Sequence, residues 1–107
     1  MIYKFKSKAA GDVIMLGPNG DQLLRLIGKE PAPQGIIEAA ALPAAMAAIE
    51  RAIALEEQAR AQAEMQAAAD GRTLAPRAGV SLHQRAWPLV ESMKRSHAAK
   101  ADIVWGT

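Results

Sequence analysis

The stretch Leu42-Pro43-Ala44-Ala45-Met46-Ala47-Ala48-Ile49-Glu50-Arg51-Ala52-Ile53-Ala54-Leu55-Glu56 decides how the rest of the chain is read. Met46, Ile49 and Ile53 recur at i, i+3 and i+7 with Ala45 and Ala52 beside them, the apolar stripe of an α-helix. Pro43 suits the first turn, where its missing N–H leaves nothing unpaired. The spacing predicts a helix over roughly Leu42–Ala69, closed by Asp70-Gly71. Beyond Ile53 the same stripe runs into Glu56 and Arg60, which are charged, so only the first half is a core helix. At ~1.5 Å per residue the helix reaches ~40 Å, against ~34 Å for a globule of this size, and it should overhang the core. Alanine propensity and the i, i+4 pairs Glu56–Arg60 and Arg60–Glu64 support the overhang, each pair by only ~0.2–0.5 kcal/mol. A second stripe, Ala48, Ala52, Leu55, Ala59 and Ala63, would let another helix approach closely and reads as a self-associating seam. A solvated low-complexity helix is the other reading.

Toward the N-terminus, Ile2 to Lys6 alternates as a half-buried strand, with Tyr3 and Phe5 facing one way and Lys4, Lys6 and Lys8 the other. Lysines on an exposed strand face read as guards against edge pairing. Ala9 to Asp12 reads as a turn, and Val13 to Leu16 as the second strand of a hairpin, with a helical turn from Ser7 as the alternative. Gly17-Pro18-Asn19-Gly20 is a turn signal, after which Leu23, Leu24, Leu26 and Ile27 predict a helix from Asp21 to Ile27, capped by Gly28. Glu30 to Gly35 is a loop, and Ile36-Ile37 adds a short extended piece.

Past Gly71, Arg72 to Gly79 with Pro76 is an irregular connector. Ser81 is the N-cap of a last helix running to about Ala99, with Leu82, Ala86, Leu89, Val90 and Met93 on one face and a bend at Pro88. Asp102 to Trp105 is a final strand to pair with the first. The fold expected is α+β: a short antiparallel sheet from the two chain ends packed on three helices, one long, as a single domain over residues 1–107.

Of 107 residues 24 are alanine, while Ile, Leu, Val and Phe together number 22, close to the floor of roughly a fifth at which chains stop folding unaided. That excludes a second domain and argues against a deep enclosed active-site cavity. Without cysteine there is no disulfide, thiolate metal site or thiol nucleophile. The longest apolar run, Ala39 to Ile49, falls far short of the ~20 residues of a membrane span, so a soluble cytoplasmic protein without membrane partners is expected. The net charge of +2 hides segregation: residues 38–70 sum to −4 and residues 71–101 to +5. The simpler reading is that these segments attract each other, within a chain or between two. The functional one is a basic face for nucleic acid, formed by Lys4, Lys6, Arg85, Lys94 and Arg95.

Few motifs carry chemistry. Gly17 to Gly20 fits the GxxG pattern of a loop that clamps single-stranded nucleic acid, but Pro and Asn fill its middle and Asp21 repels phosphate, so it reads as a turn. His83 and His97 lie fourteen residues apart on one helix, ~21 Å along its axis, and cannot share a metal. His97 is placed on the apolar face. Ser81 and Ser96 lack a triad's third group, and no phosphate loop or metal signature appears. No catalytic, cofactor or metal residue is assigned. Trp87, beside Arg85 and Lys94, reads either as core-edge packing or as an interface anchor.

The opening Tyr3-Lys4-Phe5-Lys6-Ser7-Lys8-Ala9 with Asp12-Val13-Ile14-Met15, the Leu23 to Lys29 helix end, Leu42-Pro43-Ala44-Ala45, Val80 to Leu89 and Asp102-Ile103-Val104-Trp105 together resemble a family of short bacterial proteins catalogued as domain of unknown function 1840. The resemblance spans nearly the whole chain and implies no activity or site residue. The overhanging helix and the segregated charge lead instead to the function expected, a non-enzymatic interaction or structural protein acting as a homodimer or with another protein. Its interface candidates are Ala52, Leu55, Ala59, Ala63 and Trp87, with nucleic-acid binding through the basic residues as the alternative.

Overall fold

The computed structural model describes residues 2–76 and 79–106. Alternation at Ile2 to Lys6 produces β1 (Ile2–Ser7), which turns through Lys8 and Ala9 into β2 (Ala10–Leu16). The Ser7 hydroxyl accepts the Ala9 N–H at 3.1 Å, and the register shifts by one residue between Phe5 and Ser7. The second strand is thus real but starts three residues earlier than Val13, and no helix forms there. β3 (Gly35–Ile37) and β4 (Ile103–Trp105) complete an antiparallel sheet of order β2-β1-β4-β3. The first and last strands pair as expected. Because β1 is hydrogen-bonded on both sides, Lys4 and Lys6 guard no edge; they project from one sheet face instead.

The inner face of the sheet carries an aromatic row. The Tyr3 and Phe5 rings stack 5.7 Å apart, and Phe5 meets Trp105 edge-on at 5.6 Å. Trp105 Nε1 donates to the Ala32 carbonyl at 2.9 Å, so its one polar atom is satisfied. Two glycines border the row. A Cβ on Gly20 would lie 2.2 Å from Tyr3 Cδ2, and one on Gly35 would lie 2.1 Å from Trp105 Cζ2. The Gly17–Gly20 stretch is consequently no loop: it is the first turn of α1 (Gly17–Leu26), brought against Tyr3 by the absence of side chains. The turn expected there gives way because Pro18 is favourable in a first helical turn and Gly20 is the only residue that fits under the ring.

A 3-10 turn (Ala39–Ala41) leads into α2 (Leu42–Ala69), and α3 (Leu82–Ala98) follows the connector. Asp102 Oδ1 accepts the Ala39 N–H at 2.8 Å, tying the start of this segment to the approach to β4. Leu42, Ala45 and Ile49 are buried, and Met46, Ala52 and Ile53 pack at the margin of the core, as their spacing required. The charged continuation of the stripe also faces inward, but by hydrogen bonding. Glu56 Oε1 accepts the Leu82 N–H at the start of α3, and Arg60 Nη2 donates to the Ala75 carbonyl of the returning connector at 2.8 Å. Seven residues on, Ala67 is 4 % exposed. The helix nevertheless lengthens the molecule to 52 Å against 28 and 22 Å across.

Ser81 caps α3 as expected, and Gln84 completes a capping box by accepting the Ser81 N–H at 3.3 Å. Leu82, Ala86, Leu89, Val90 and Met93 are buried. His97 is exposed, contrary to its expected place on the apolar face. The helix packs on β1 and β2 along Leu89, Ser92 and Ser96 instead, with the Ser96 and Ser7 hydroxyls 2.6 Å apart. All three helices end in the same closure: Lys29, Arg72 and Ala101 donate back to Leu24, Ala67 and Ser96 around left-handed residues Gly28, Gly71 and Lys100.

Three substitutions test these constraints. Gly20→Ala should lose about 1–3 kcal/mol by overpacking against Tyr3, whereas Gly11→Ala, with nothing within 4 Å of its Cβ, should unfold at nearly the wild-type urea midpoint. Lys100→Gly, which relieves a non-glycine residue at φ 55°, should raise stability by about 0.5–1 kcal/mol in the same measurement.

Candidate interaction surfaces

The helices lie on the aromatic side of the sheet, α1 and α3 against β1 and β2 and α2 against α1 and α3, and among the described residues no helix packs on the other side. Its register is set by Ile2 opposite Leu16, Lys4 opposite Ile14, and Lys6 and Ile36 flanking Val104. Ile2 is 63 % exposed, Ile14 65 %, Leu16 65 % and Ile36 40 %. Lys4 and Lys6 run between an apolar corner (Ile2, Ile14, Leu16) and a smaller apolar pair (Val104, Ile36). Lys4 Nζ lies 3.6 Å from the Asp12 carboxylate, both groups about half exposed. Ile2, Ile14 and Leu16 thus adjoin one another on this face, with Ile36 set apart across Val104.

The second surface is the outward side of α2. Because Glu56, Arg60 and Ala67 face the connector and α3, the opposite side is left to Leu55, 60 % exposed, and Met65, 72 % exposed, with Gln58 and Gln62 between them. Arg51 is exposed between them as well, whereas Glu50, Glu57 and Glu64, all exposed, recur every seven residues on the flank away from Leu55, where Arg60 Nε donates to Glu64 Oε1 at 3.2 Å. The interface candidates divide accordingly. Leu55, Ala59 and Ala63 are exposed, whereas Ala52 is partly buried against the core. Trp87 stands 53 % exposed on α3.

The basic residues do not form one face. Arg85 turns inward, where its guanidinium donates to Gln22 Oε1 at 2.7 Å and Asn19 Oδ1 at 3.4 Å, joining α3 to α1. Lys94 pairs with Glu91 at 3.4 Å, and Arg95 is exposed on α3. That helix lies behind the sheet from Lys4 and Lys6. An open cleft of about 670 Å³ between the β1–β2 turn and the α3–β4 turn gathers Lys6, Lys8 and Lys100 with Asp12 and Asp102. Both histidines are exposed on α3, and among the described residues no group of His, Cys, Asp or Glu could hold a metal ion. Among them, too, no helix is long and apolar enough to cross a membrane.

Sequence reasoning missed the bare sheet face. Ile14 and Leu16 were legible as alternating with Val13 and Met15, but nothing local says which side of a strand the helices will cover.

The fold is α+β, an antiparallel four-stranded sheet with helices on one face. The chain belongs to the family described as domain of unknown function 1840, whose model matches residues 1–105. Comparison with curated proteins and with solved structures found no match.

Beneath the apolar corner, the buried Tyr3 hydroxyl donates to Asp21 Oδ1. Burial first, then the hydrogen bond and charge of Asp21, push its pKa from 10.0 up to about 12, with Arg25 pulling the other way. Folded Tyr3 thus holds its proton more tightly than the unfolded chain. Its contribution to stability is full below pH 10 and is lost as pH rises from there through about 12. Since the sequence has 1 tyrosine, phenolate absorbance reads it alone. The folded protein should show no phenolate at pH 10.0, and Asp21→Asn should shift its appearance to lower pH.

Proposed function

We propose that this chain is a non-enzymatic interaction domain that works as a homodimer. The observation that carries the reading is the long helix: α2 runs past the core and presents Leu55 and Met65 to solvent. Burying a large aliphatic side chain contributes roughly 1.5–3 kcal/mol, so a helix that leaves two of them bare is incomplete by itself. Ala59 and Ala63, exposed on the same half of the helix, permit close approach of a second chain. Trp87 on α3 offers an aromatic anchor of the kind that dominates interfaces. The dispersal of Arg85, Lys94 and Arg95 away from Lys4 and Lys6 favours a protein partner over a nucleic-acid track.

Light scattering at tens of micromolar should return twice the chain mass of 11.4 kDa. Leu55→Asp together with Met65→Asp should give the monomer mass with an unchanged circular dichroism spectrum, since neither side chain belongs to the core. A wild-type monomer at that concentration would sink the reading.

A further inference from the structure

The open cleft of about 670 Å³ between the β1–β2 turn and the α3–β4 turn has no part in the homodimer reading. Lys8 and Ala9 line it from the first turn, and Lys100 and Ala101 from the second. Lys6 and Val104, register partners across β1 and β4, line it as well. We infer that this cleft binds a small organic phosphate monoester, whose phosphoryl group is held between Lys8 of one turn and Lys100 of the other.

The backbone at Lys100 is the first reason. All three helices end in the same closure, and its left-handed position is Gly28 in α1, Gly71 in α2 and Lys100 in α3. Their φ angles are 84°, 71° and 55°, and among the described residues Lys100 is the one non-glycine residue with positive φ. A Cβ in this region costs backbone energy that glycine avoids. Backbone strain that persists in a fold gathers at binding and catalytic sites, and here it puts an ammonium group at the cleft.

The charges at the cleft are the second. Lys8 and Lys100 are exposed, and among the described residues neither forms an ion pair. Both carboxylates that line the cleft have partners of their own. Asp102 Oδ1 accepts the Ala39 N–H at 2.8 Å, and Asp12 lies 3.6 Å from Lys4 Nζ. At the C-terminal end of α3, the carbonyls of Arg95, Ser96 and His97 accept the N–H groups of Ala99, Ala101 and Lys100, so these acceptors are already taken.

The walls are set before a ligand arrives. Ser7 Oγ accepts the Ala9 N–H at 3.1 Å and lies 2.6 Å from the hydroxyl of buried Ser96. The Ser96 carbonyl in turn accepts the Ala101 N–H at 2.8 Å. One pair of hydroxyls thus ties the turn that carries Lys8 to the turn that carries Lys100. Groups held in this way lose less freedom on binding.

The donor set selects the class of ligand. An ammonium group acts as a point charge and suits a phosphoryl group, with its three oxygens and about −1.5 to −2 charge. A carboxylate is matched better by the planar fork of arginine, and no arginine lines the cleft. The volume falls within the ~300–1,000 Å³ of small-molecule sites, which leaves room for an organic body. Ala9, Ala99, Ala101 and Val104 supply its apolar contacts.

Amide NMR of the isotope-labelled chain, titrated with phenyl phosphate at low salt, tests this. The amides of Ser7 to Ala9 and of Ala99 to Val104 should shift together and saturate. Benzoate, a carboxylate on the same ring, should bind at least roughly tenfold more weakly. Lys100→Gly suits the left-handed backbone, so it should unfold at higher urea than wild type and yet bind phenyl phosphate at least roughly tenfold more weakly. Lys8→Gln, at an exposed turn position, should weaken binding with an unchanged urea midpoint. The assignment is overturned by the absence of a saturable shift, or by shifts as large at Lys29 and Lys94 as at the cleft. It is overturned equally if benzoate binds as tightly as phenyl phosphate, or if either variant binds as tightly as wild type. None of these outcomes touches the homodimer reading, which rests on α2.

Discussion

The row of Tyr3, Phe5 and Trp105 is what the rest of the molecule is arranged around. It joins the two ends of the chain on the inner side of one sheet, and it is closed at both ends by residues that have no side chain. In a chain so rich in alanine these three rings are the aromatic side chains of the core, and close packing leaves no room for a methyl group at Gly20 or Gly35. Placing the rings inward fixes the direction of every other side chain on β1 and β4. Lys4, Lys6 and Val104 have to point outward because Tyr3, Phe5 and Trp105 point inward. The bare face is thus a direct consequence of how the core is made.

The long helix solves a different problem. Its first half is held by packing through Leu42, Ala45 and Ile49. Its second half has no comparable aliphatic side chains facing inward, and polar groups take over on the same stripe. Glu56 holds the first N–H of α3, and Arg60 holds the connector carbonyl at Ala75. Such bonds at partly exposed positions contribute about 0.5–1.5 kcal/mol each, less than burial of an aliphatic side chain. The distal half, which presents Leu55 and Met65 to solvent, is thus held by polar contacts and by Ala67 rather than by large aliphatic side chains.

Much of the fold was legible in advance. The bounds of α2 follow from the apolar period, Pro43 and Gly71, and those of α3 from Ser81 and its apolar face. The pairing of the last strand with the first follows from alternating patterns at the two chain ends. Three local readings failed for one reason. Gly17–Gly20 was read as a turn, His97 as apolar-facing and the β1 lysines as edge guards, yet each was settled by a partner far away in sequence. Tyr3 sits over Gly20, Ser7 takes Ser96 and with it the inward line of α3, and β4 covers the free side of β1.

The sequence by itself determined the elements, their caps, the α+β class and the charge imbalance between segments, because these are written at spacings of two, three, four and seven residues. Only the tertiary structure decided which side of the sheet the helices cover, which strands are edges, and which side of α2 the connector and α3 occupy. Those outcomes rest on contacts such as Arg85 to Gln22, 63 residues apart, and Ser7 to Ser96, 89 apart. Periodicity records that a residue has a buried side, but the partner that buries it is named by the path of the whole chain.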